Sequence, residues 1–140
     1  SRQLGRALRP RRAAARDARR LGDVRQVQAA LELYFNKCSF YPGDGLTPCN
    51  PIGFLPPPAI AWVGTVSLTN SLVTAGIVSR VPNDPTAGKN YFYGVDTGNN
   101  NQNYVVGATL ESSNQALSTD IDGTSVFGID CTDPVYCVTN

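Results

Sequence analysis

Apolar residues recur every three or four positions between Ala15 and Pro42, which is the period of an amphipathic helix. We predict a helix from about Pro10 to Asn36, roughly 40 Å long at a rise of ~1.5 Å per residue. A core of this size cannot cover that length, so the N-terminal part should protrude. The apolar positions are Ala18, Leu21, Val24, Val27, Ala30, Leu31, Tyr34 and Phe35. The opposite face carries Arg16, Arg19, Arg20, Asp23 and Gln26.

A loop rich in proline and glycine follows the helix over residues 38–58, and a second, short helix is predicted over residues 66–77. Ser67 or Thr69 could cap the start of this helix, and Gly76 could end it. Its inward side chains should be Leu68, Leu72 and Val73.

The hydrophobic period changes to two in the C-terminal third of the chain, which predicts β-strands. Residues 91–95 and 104–110 both alternate, and the polar turn DTGNNNQN between them predicts an antiparallel hairpin. Residues 125–129 can supply a third strand. The expected fold is therefore α+β, with a long N-terminal amphipathic helix packed on a small antiparallel sheet.

The four cysteines form two pairs that are close in sequence, Cys38 with Cys49 and Cys131 with Cys137. Neither pair has the C-x-x-C spacing of a zinc or redox motif, so two local disulfides in an oxidising compartment are the favoured interpretation. Four free thiols or a zinc site are the alternatives. We divide the chain into a basic arm (residues 1–12) and one domain (13–140). The domain comprises a helix stem (13–37), a disulfide loop (38–58) and a sheet region (89–140).

Charge is unevenly distributed, although the formal net charge of the chain is only +1. Residues 1–25 hold nine arginines and two aspartates, whereas residues 26–140 hold three basic and nine acidic residues. The basic arm could be a solvated stretch beside a membrane segment, or it could bind phosphates of lipid or nucleic acid. No aromatic residue precedes Tyr34, so the arm has no side chain for base stacking.

Side chains that support catalysis are scarce. The sequence has no histidine, and no nucleophile stands in a recognisable motif with a basic partner, so neither an enzyme activity nor a cofactor is predicted. Four aspartates close together could hold calcium or cap backbone amides in turns, and capping is favoured, so no metal is predicted. They are Asp120, Asp122, Asp130 and Asp133.

Membrane-spanning and export signals are missing from the sequence as it stands. The most apolar stretch, residues 59–81, is interrupted by glycine, asparagine and arginine, and a span needs about 20 predominantly apolar residues. No signal peptide begins the sequence either. Because an oxidised, exported chain needs a route out of the cell, we expect the natural N-terminus to lie upstream of Ser1.

Four segments resemble type IV pilin-like proteins, a family that includes the major pseudopilins of type II secretion. ARDARRLGDVRQVQAALELYFNKCSFYP is similar to the helix that follows the family's hydrophobic segment, with its A-R-D-x-x-R pattern. VPNDPTAGKNYFYGV resembles the P-x-D-P segment before the first strand, and QNYVVGATLESSNQAL resembles the next strand. STDIDGTSVFGIDC and the later YCV resemble the C-terminal disulfide loop. The likeness covers residues 13–140, whereas residues 1–12 are arginine-rich where the family is apolar.

The resemblance implies a structural subunit of a pilus-like filament, either a pilin or a secretion pseudopilin. Such a subunit is anchored in the membrane before assembly and then belongs to a periplasmic or extracellular filament. Its partners would be further copies of the chain, the inner-membrane assembly machinery and, through the arginine-rich arm, an anionic surface of DNA or lipid. Related pseudopilins can hold calcium in the C-terminal loop. The alternative function is a basic-armed DNA-binding or DNA-uptake module. Subunit contacts are expected at Arg16, Arg19, Arg20, Leu21 and Val24.

Overall fold

The computed structural model describes residues 2–43, 47–50 and 57–140, with side chains from Arg9 onward. One helix, α1 (Arg2–Cys38), takes up the first part of the chain. It begins before the predicted start at Pro10, so the arm and the stem are one continuous helix over these residues. Arginine, leucine and alanine surround Pro10, and their helix propensity helps to offset the hydrogen bond that proline removes.

The C-terminal half of α1 packs against a sheet through the predicted apolar face. Its buried residues include Val24, Val27, Ala30, Leu31 and Tyr34. The prediction for Ala18 is wrong, because this residue is exposed. The positions that continue the buried row toward the N-terminus are instead Asp17 and Arg20, both fully buried. The helix therefore meets the body through a polar contact as well as an apolar one.

Among the described residues, four antiparallel strands form a single sheet in the order β1 (Ala59–Ile60), β2 (Phe92–Val95), β3 (Tyr104–Thr109) and β4 (Val135–Thr139). The predicted hairpin is confirmed as β2 and β3. The sequence did not indicate β1, which is only two residues long, or β4. The α+β class, with its long N-terminal helix and antiparallel sheet, is thus confirmed.

The third strand predicted over residues 125–129 is wrong. These residues make only an isolated bridge between Val126 and Ile129, because Phe127 (φ +48°) and Gly128 (φ +82°) turn the chain between them. The turn lies against the sheet at Gly94, where any Cβ would collide with the carbonyl oxygen of Phe127. The strand that pairs with β3 is β4.

The second helix, α2 (Leu68–Thr74), starts where the sequence indicated. Ser67 caps it, since its hydroxyl oxygen accepts a hydrogen bond from the Asn70 amide at 3.1 Å. Leu68 and Leu72 are buried as predicted, but Val73 is 38% exposed. Successive helical residues lie about 100° apart around the axis, so Val73 falls outside the face that Leu68 and Leu72 bury.

Both predicted disulfides are present, Cys38–Cys49 and Cys131–Cys137, and neither leaves a free cysteine. The first links the end of α1 to the following loop, and the second links β4 to the segment before it. Residues 44–46 and 51–56 of the predicted disulfide loop lie outside the described residues. Within the described part of the chain, no helix combines the length and the apolar content that crossing a bilayer requires.

Candidate functional site

Arg20 lies at the centre of a buried group of charges where α1 meets the body of the protein. Its guanidinium makes two parallel hydrogen bonds to Asp84, from Nε to Oδ2 at 3.0 Å and from Nη2 to Oδ1 at 2.9 Å. Its Nη1 donates to Asp17 Oδ1 at 2.9 Å and to Glu111 Oε2 at 2.5 Å. Because Nη2 also donates to Thr86 Oγ1 at 3.0 Å, all five N–H donors of Arg20 have acceptors.

Asp17 joins α1 to the connection that follows β3. Its carboxylate accepts hydrogen bonds from the Glu111 amide at 2.9 Å, the Ser112 amide at 3.0 Å and the Ser112 hydroxyl at 2.7 Å. Burial by itself raises the pKa of Asp17, but the hydrogen bonds from Ser112, Glu111 and Arg20 hold that pKa below its ordinary value. The carboxylate therefore stays ionised in the fold.

The two other carboxylates are held ionised in the same way. Burial raises the pKa of Asp84, but hydrogen bonds from Arg20 and from the Thr86 amide bring it below its ordinary value. Glu111 accepts from Arg16 Nε at 2.6 Å and from Nη2 at 2.7 Å. These bonds from Arg16, followed by the bond from Arg20, lower the pKa of Glu111 to about 2. We call these five residues, Arg16, Asp17, Arg20, Asp84 and Glu111, the Arg20 cluster.

The Arg20 cluster joins three parts of the chain that are distant in sequence. Arg20 belongs to the A-R-D-x-x-R pattern of α1, Asp84 belongs to the P-x-D-P segment, and Glu111 follows β3. Two segments that resemble the pilin family are thus bonded to each other through Arg20 and Asp84. The cluster fixes α1 against the body at the point where the exposed part of the helix begins.

The residues predicted to contact other subunits fall into two groups. Arg20 and Val24 are fully buried by the chain's own residues, so neither offers a surface to another subunit in this structure. Arg16 and Arg19 keep 38% and 59% of their side chains exposed, and each binds an acidic residue of its own chain, Glu111 and Asp23. Leu21 is half-buried. Contacts through Arg16, Arg19 and Leu21 stay predictions.

Sequence reasoning missed the Arg20 cluster because it placed Arg20 on the polar face of the helix. The available signal was the position of the residue. Asp17 and Arg20 continue the buried row of Val24 and Val27 at alternating spacings of three and four. A charged pair at i, i+3 on an apolar row indicates charges that are compensated elsewhere in the fold.

A second group of arginines lies on α1 before the Arg20 cluster. Arg9, Arg11 and Arg12 are exposed, and none forms an ion pair with another described residue. Arg9 and Arg12 share one helix face with Arg16 and Arg19, because the spacings are three, four and three. We call Arg9, Arg12, Arg16 and Arg19 the basic stripe.

Three aspartates meet in the C-terminal region. Asp120, Asp122 and Asp133 each offer an oxygen within 4.8 Å of the other two, and we call them the Asp120 cluster. Burial, and then repulsion from Asp122 and Asp133, raises the pKa of Asp120 against the effect of its bond to Cys137. Partial desolvation and repulsion from Asp122 likewise raise the pKa of Asp133. Among the residues that the structure describes, no cation forms an ion pair with this cluster.

Two of the four candidate aspartates cap backbone amides. Asp120 Oδ2 accepts from the Cys137 amide at 3.0 Å, and Asp130 Oδ1 accepts from the Thr132 amide at 3.0 Å. The hydrogen bonds from Thr132 lower the pKa of Asp130, which lies outside the cluster. Calcium takes six to eight oxygen ligands, more than the three carboxylates of the cluster supply singly. The hydrogen bonds thus support the capping interpretation, and calcium stays a hypothesis.

No protein-family model matches the chain, and neither does any curated protein or solved structure. The functional interpretation therefore depends on the residues and geometry described above.

Proposed function

We propose that this chain is a structural subunit of a type IV pilus-like filament, either a pilin or a secretion pseudopilin. In this proposal the stem helix packs against neighbouring copies, and the remaining surface of the sheet and its loops faces outward. The inner-membrane assembly machinery inserts the subunits into a periplasmic or extracellular filament. The work of the protein is then mechanical, without a catalytic step.

The observation that carries the proposal is the unequal covering of α1. Between Arg9 and Ala15 nearly every side chain is exposed, whereas Val24, Leu31 and Tyr34 in the same helix are buried against the body. The exposed N-terminal part of α1 continues directly from the packed part of the same helix. This arrangement suits a subunit whose neighbouring copies cover the exposed part. The two family-like segments that meet at Arg20 and Asp84 support the same proposal.

The joint between stem and body also suits a load-bearing subunit. The buried charges of the Arg20 cluster fix the direction of α1 relative to the body, and the Cys38–Cys49 disulfide links the C-terminal end of α1 to the loop that follows it. Buried, hydrogen-bonded charges of this kind favour one geometry, since any other leaves a charge without its partner. A filament subunit needs such a fixed angle, because small differences in angle would accumulate along the filament.

The test is to look for the protein in filaments of its native host. Antibodies raised against the chain should label filaments in the electron microscope, and deletion of the gene should remove those filaments until an intact copy restores them. The purified native protein should show four masked thiols before reduction. A soluble protein with four free thiols, in cells whose surface filaments survive the deletion, would contradict the proposal.

A DNA-binding or DNA-uptake module is the second candidate, and the exposed arginines Arg9, Arg11 and Arg12 favour it. Such a module should bind a short duplex through these residues, with an affinity that falls steeply as salt rises. Fluorescence anisotropy of a labelled duplex measures this, with Arg80→Glu and Lys89→Glu as the matched control for Arg9→Glu and Arg12→Glu. Equal binding by the two variants would remove this candidate.

A further inference from the structure

Two groups of like charge, at distant places in the fold, lie outside the described ion pairs. The five described ion pairs involve only Arg16, Arg19 and Arg20, which bind acidic residues near the base of the stem. They leave Arg9 and Arg12 at one end of the basic stripe, and the Asp120 cluster at the other place. Each of these groups is exposed in whole or in part and repels its own members.

The two groups cannot neutralise each other within one molecule. Arg25 of α1 and Asp120 line the same polar pocket of about 410 Å³, so Asp120 lies near the level of Arg25 along the helix. At a rise of about 1.5 Å per residue, Arg12 lies roughly 20 Å and Arg9 roughly 24 Å farther along α1. That separation is far beyond the length of an ion pair.

We infer that the N-terminal end of the basic stripe, Arg9 and Arg12, docks on the Asp120 cluster of a second copy of this chain. The inference rests on the proposed function, and it names the contact by which neighbouring subunits are aligned. The second copy must be displaced by about 20–24 Å along the stem, since this is the distance between the two groups in one molecule.

Such a contact also has the symmetry that a filament requires. The stripe of one copy meets a different surface on the next copy, so the interface is heterologous, and a pair of copies retains one free stripe and one free Asp120 cluster. A heterologous interface that does not close into a ring extends into an open helical array. Attraction between opposite charges orients the copies, while like charges oppose the reversed arrangement.

The test exchanges the charges of the two surfaces in the native host. Arg9→Glu with Arg12→Glu should lower the filament yield about tenfold or more, because the stripe then faces like charges on the neighbouring copy. Asp122→Lys with Asp133→Lys should do the same. Coexpression of the two double variants should restore filaments, since each junction then joins opposite charges. Electron microscopy and immunoblots of the sheared filament fraction measure the yield.

Arg80→Glu with Lys89→Glu provides the matched control. It changes the net charge as much as the stripe variant does, but at exposed cations that belong neither to α1 nor to the basic stripe, and it should leave the yield unchanged. If the lysine variant fails to fold, Asp122→Asn with Asp133→Asn replaces it. This neutral variant should lower the yield, and the further changes Arg9→Gln and Arg12→Gln should then add little, because both pairs serve one contact.

The outcomes separate this inference from the proposed function. If the wild type forms filaments and both charge-exchange variants give the same yield as the wild type, the inference is overturned and the filament proposal stands. Loss of filaments that coexpression does not restore also overturns it, as does a stripe variant that keeps its filaments but loses binding to a DNA duplex or to anionic vesicles. Absence of wild-type filaments overturns the proposed function and the inference together.

Discussion

The Arg20 cluster and the Asp120 cluster each bring three carboxylates together, and the protein treats them in opposite ways. In the Arg20 cluster two guanidinium groups bind the carboxylates, and the pKa values of Asp17, Asp84 and Glu111 are lowered. In the Asp120 cluster no described cation is paired with the carboxylates, and the pKa values of Asp120 and Asp133 are raised. A carboxylate group stabilises the fold in the first region and opposes it in the second.

The difference shows how each region is held together. The Arg20 cluster supplies its own attraction and joins three chain segments that no disulfide links. The Asp120 cluster is held by other forces, namely the Cys131–Cys137 disulfide and the hydrogen bond that the Asp120 carboxylate accepts from the Cys137 amide. Such a region can carry uncompensated charge, which then remains free to act on another molecule.

Removal of Arg20, the central cation of the Arg20 cluster, should have the largest effect on the free energy of unfolding. Arg20→Met leaves Asp17 and Asp84 buried without a counter-charge, which should lower the free energy of unfolding by about 3–5 kcal/mol. Urea unfolding at pH 7, followed by the fluorescence of Trp62, measures the change. Arg80→Met is the matched control and should change stability by less than about 0.5 kcal/mol, because Arg80 is exposed. A loss below about 1 kcal/mol for Arg20→Met would mean that the cluster does not hold the stem.

Opening the C-terminal disulfide should have the next largest effect. Cys131→Ser with Cys137→Ser should lower the free energy of unfolding by roughly 2–3 kcal/mol, because the short closed loop gains freedom in the unfolded chain. Urea unfolding measures the loss, and limited proteolysis should locate new cleavage between residues 120 and 134. Cleavage in α1 instead would show that the disulfide also supports the stem, against the division into two independent regions.

The contrast between the two regions could be predicted from the sequence only in part. The long helix, the hairpin, the Ser67 cap and both disulfides depend on neighbours in sequence, and their periodicity or spacing indicates them. Two of the carboxylate partners of Arg20 are separated from it by 64 and 91 positions, and one sequence does not show which distant carboxylates surround a buried cation. Strand β1 was missed because two residues cannot display a period. The start of β4 was missed because the close spacing of Cys131 and Cys137 indicated a disulfide-closed loop over residues 131–137.

The two clusters should give opposite slopes of stability against pH. Because the folded-state pKa values of Asp17, Asp84 and Glu111 are lowered, their contribution is present above about pH 4 and is lost as the pH falls toward 2. Because those of Asp120 and Asp133 are raised, their ionisation costs stability as the pH rises above 4. Urea unfolding between pH 2 and pH 7 should thus show a free energy of unfolding that falls steeply below about pH 4, which we call the acid limb.

Glu111→Gln separates these two contributions. It should make the limb below pH 4 shallower and leave the slope above pH 4 unchanged, since the Asp120 cluster is intact in this variant. An acid limb as steep as that of the wild type would show that Glu111 does not carry the charge attraction described here.

Neutralising one carboxylate of the Asp120 cluster should stabilise the protein slightly. Asp122→Asn removes repulsion from both Asp120 and Asp133, and we expect the Tm at pH 7 to rise by about 1–2 °C, since partly exposed charges interact weakly. Asp130→Asn makes the same change of net charge in the same region but outside the cluster, and it should give no rise. Equal rises in the two variants would attribute the gain to net charge and not to the cluster.

Calcium should have the smallest effect on stability. Its positive charge could compensate the carboxylates of the Asp120 cluster, as the Arg20 guanidinium does in the Arg20 cluster. We expect about 5 mM calcium to shift the Tm by less than about 1 °C, because one oxygen of Asp120 is engaged by the Cys137 amide and three carboxylates make an incomplete calcium shell. Thermal unfolding and calorimetric titration measure this, with Asp122→Asn as the control. A rise of several degrees that disappears in Asp122→Asn would contradict the capping interpretation and make the cluster a calcium site. The uncompensated charge would then be satisfied within one molecule, and the attraction that should align neighbouring copies would weaken as calcium is added.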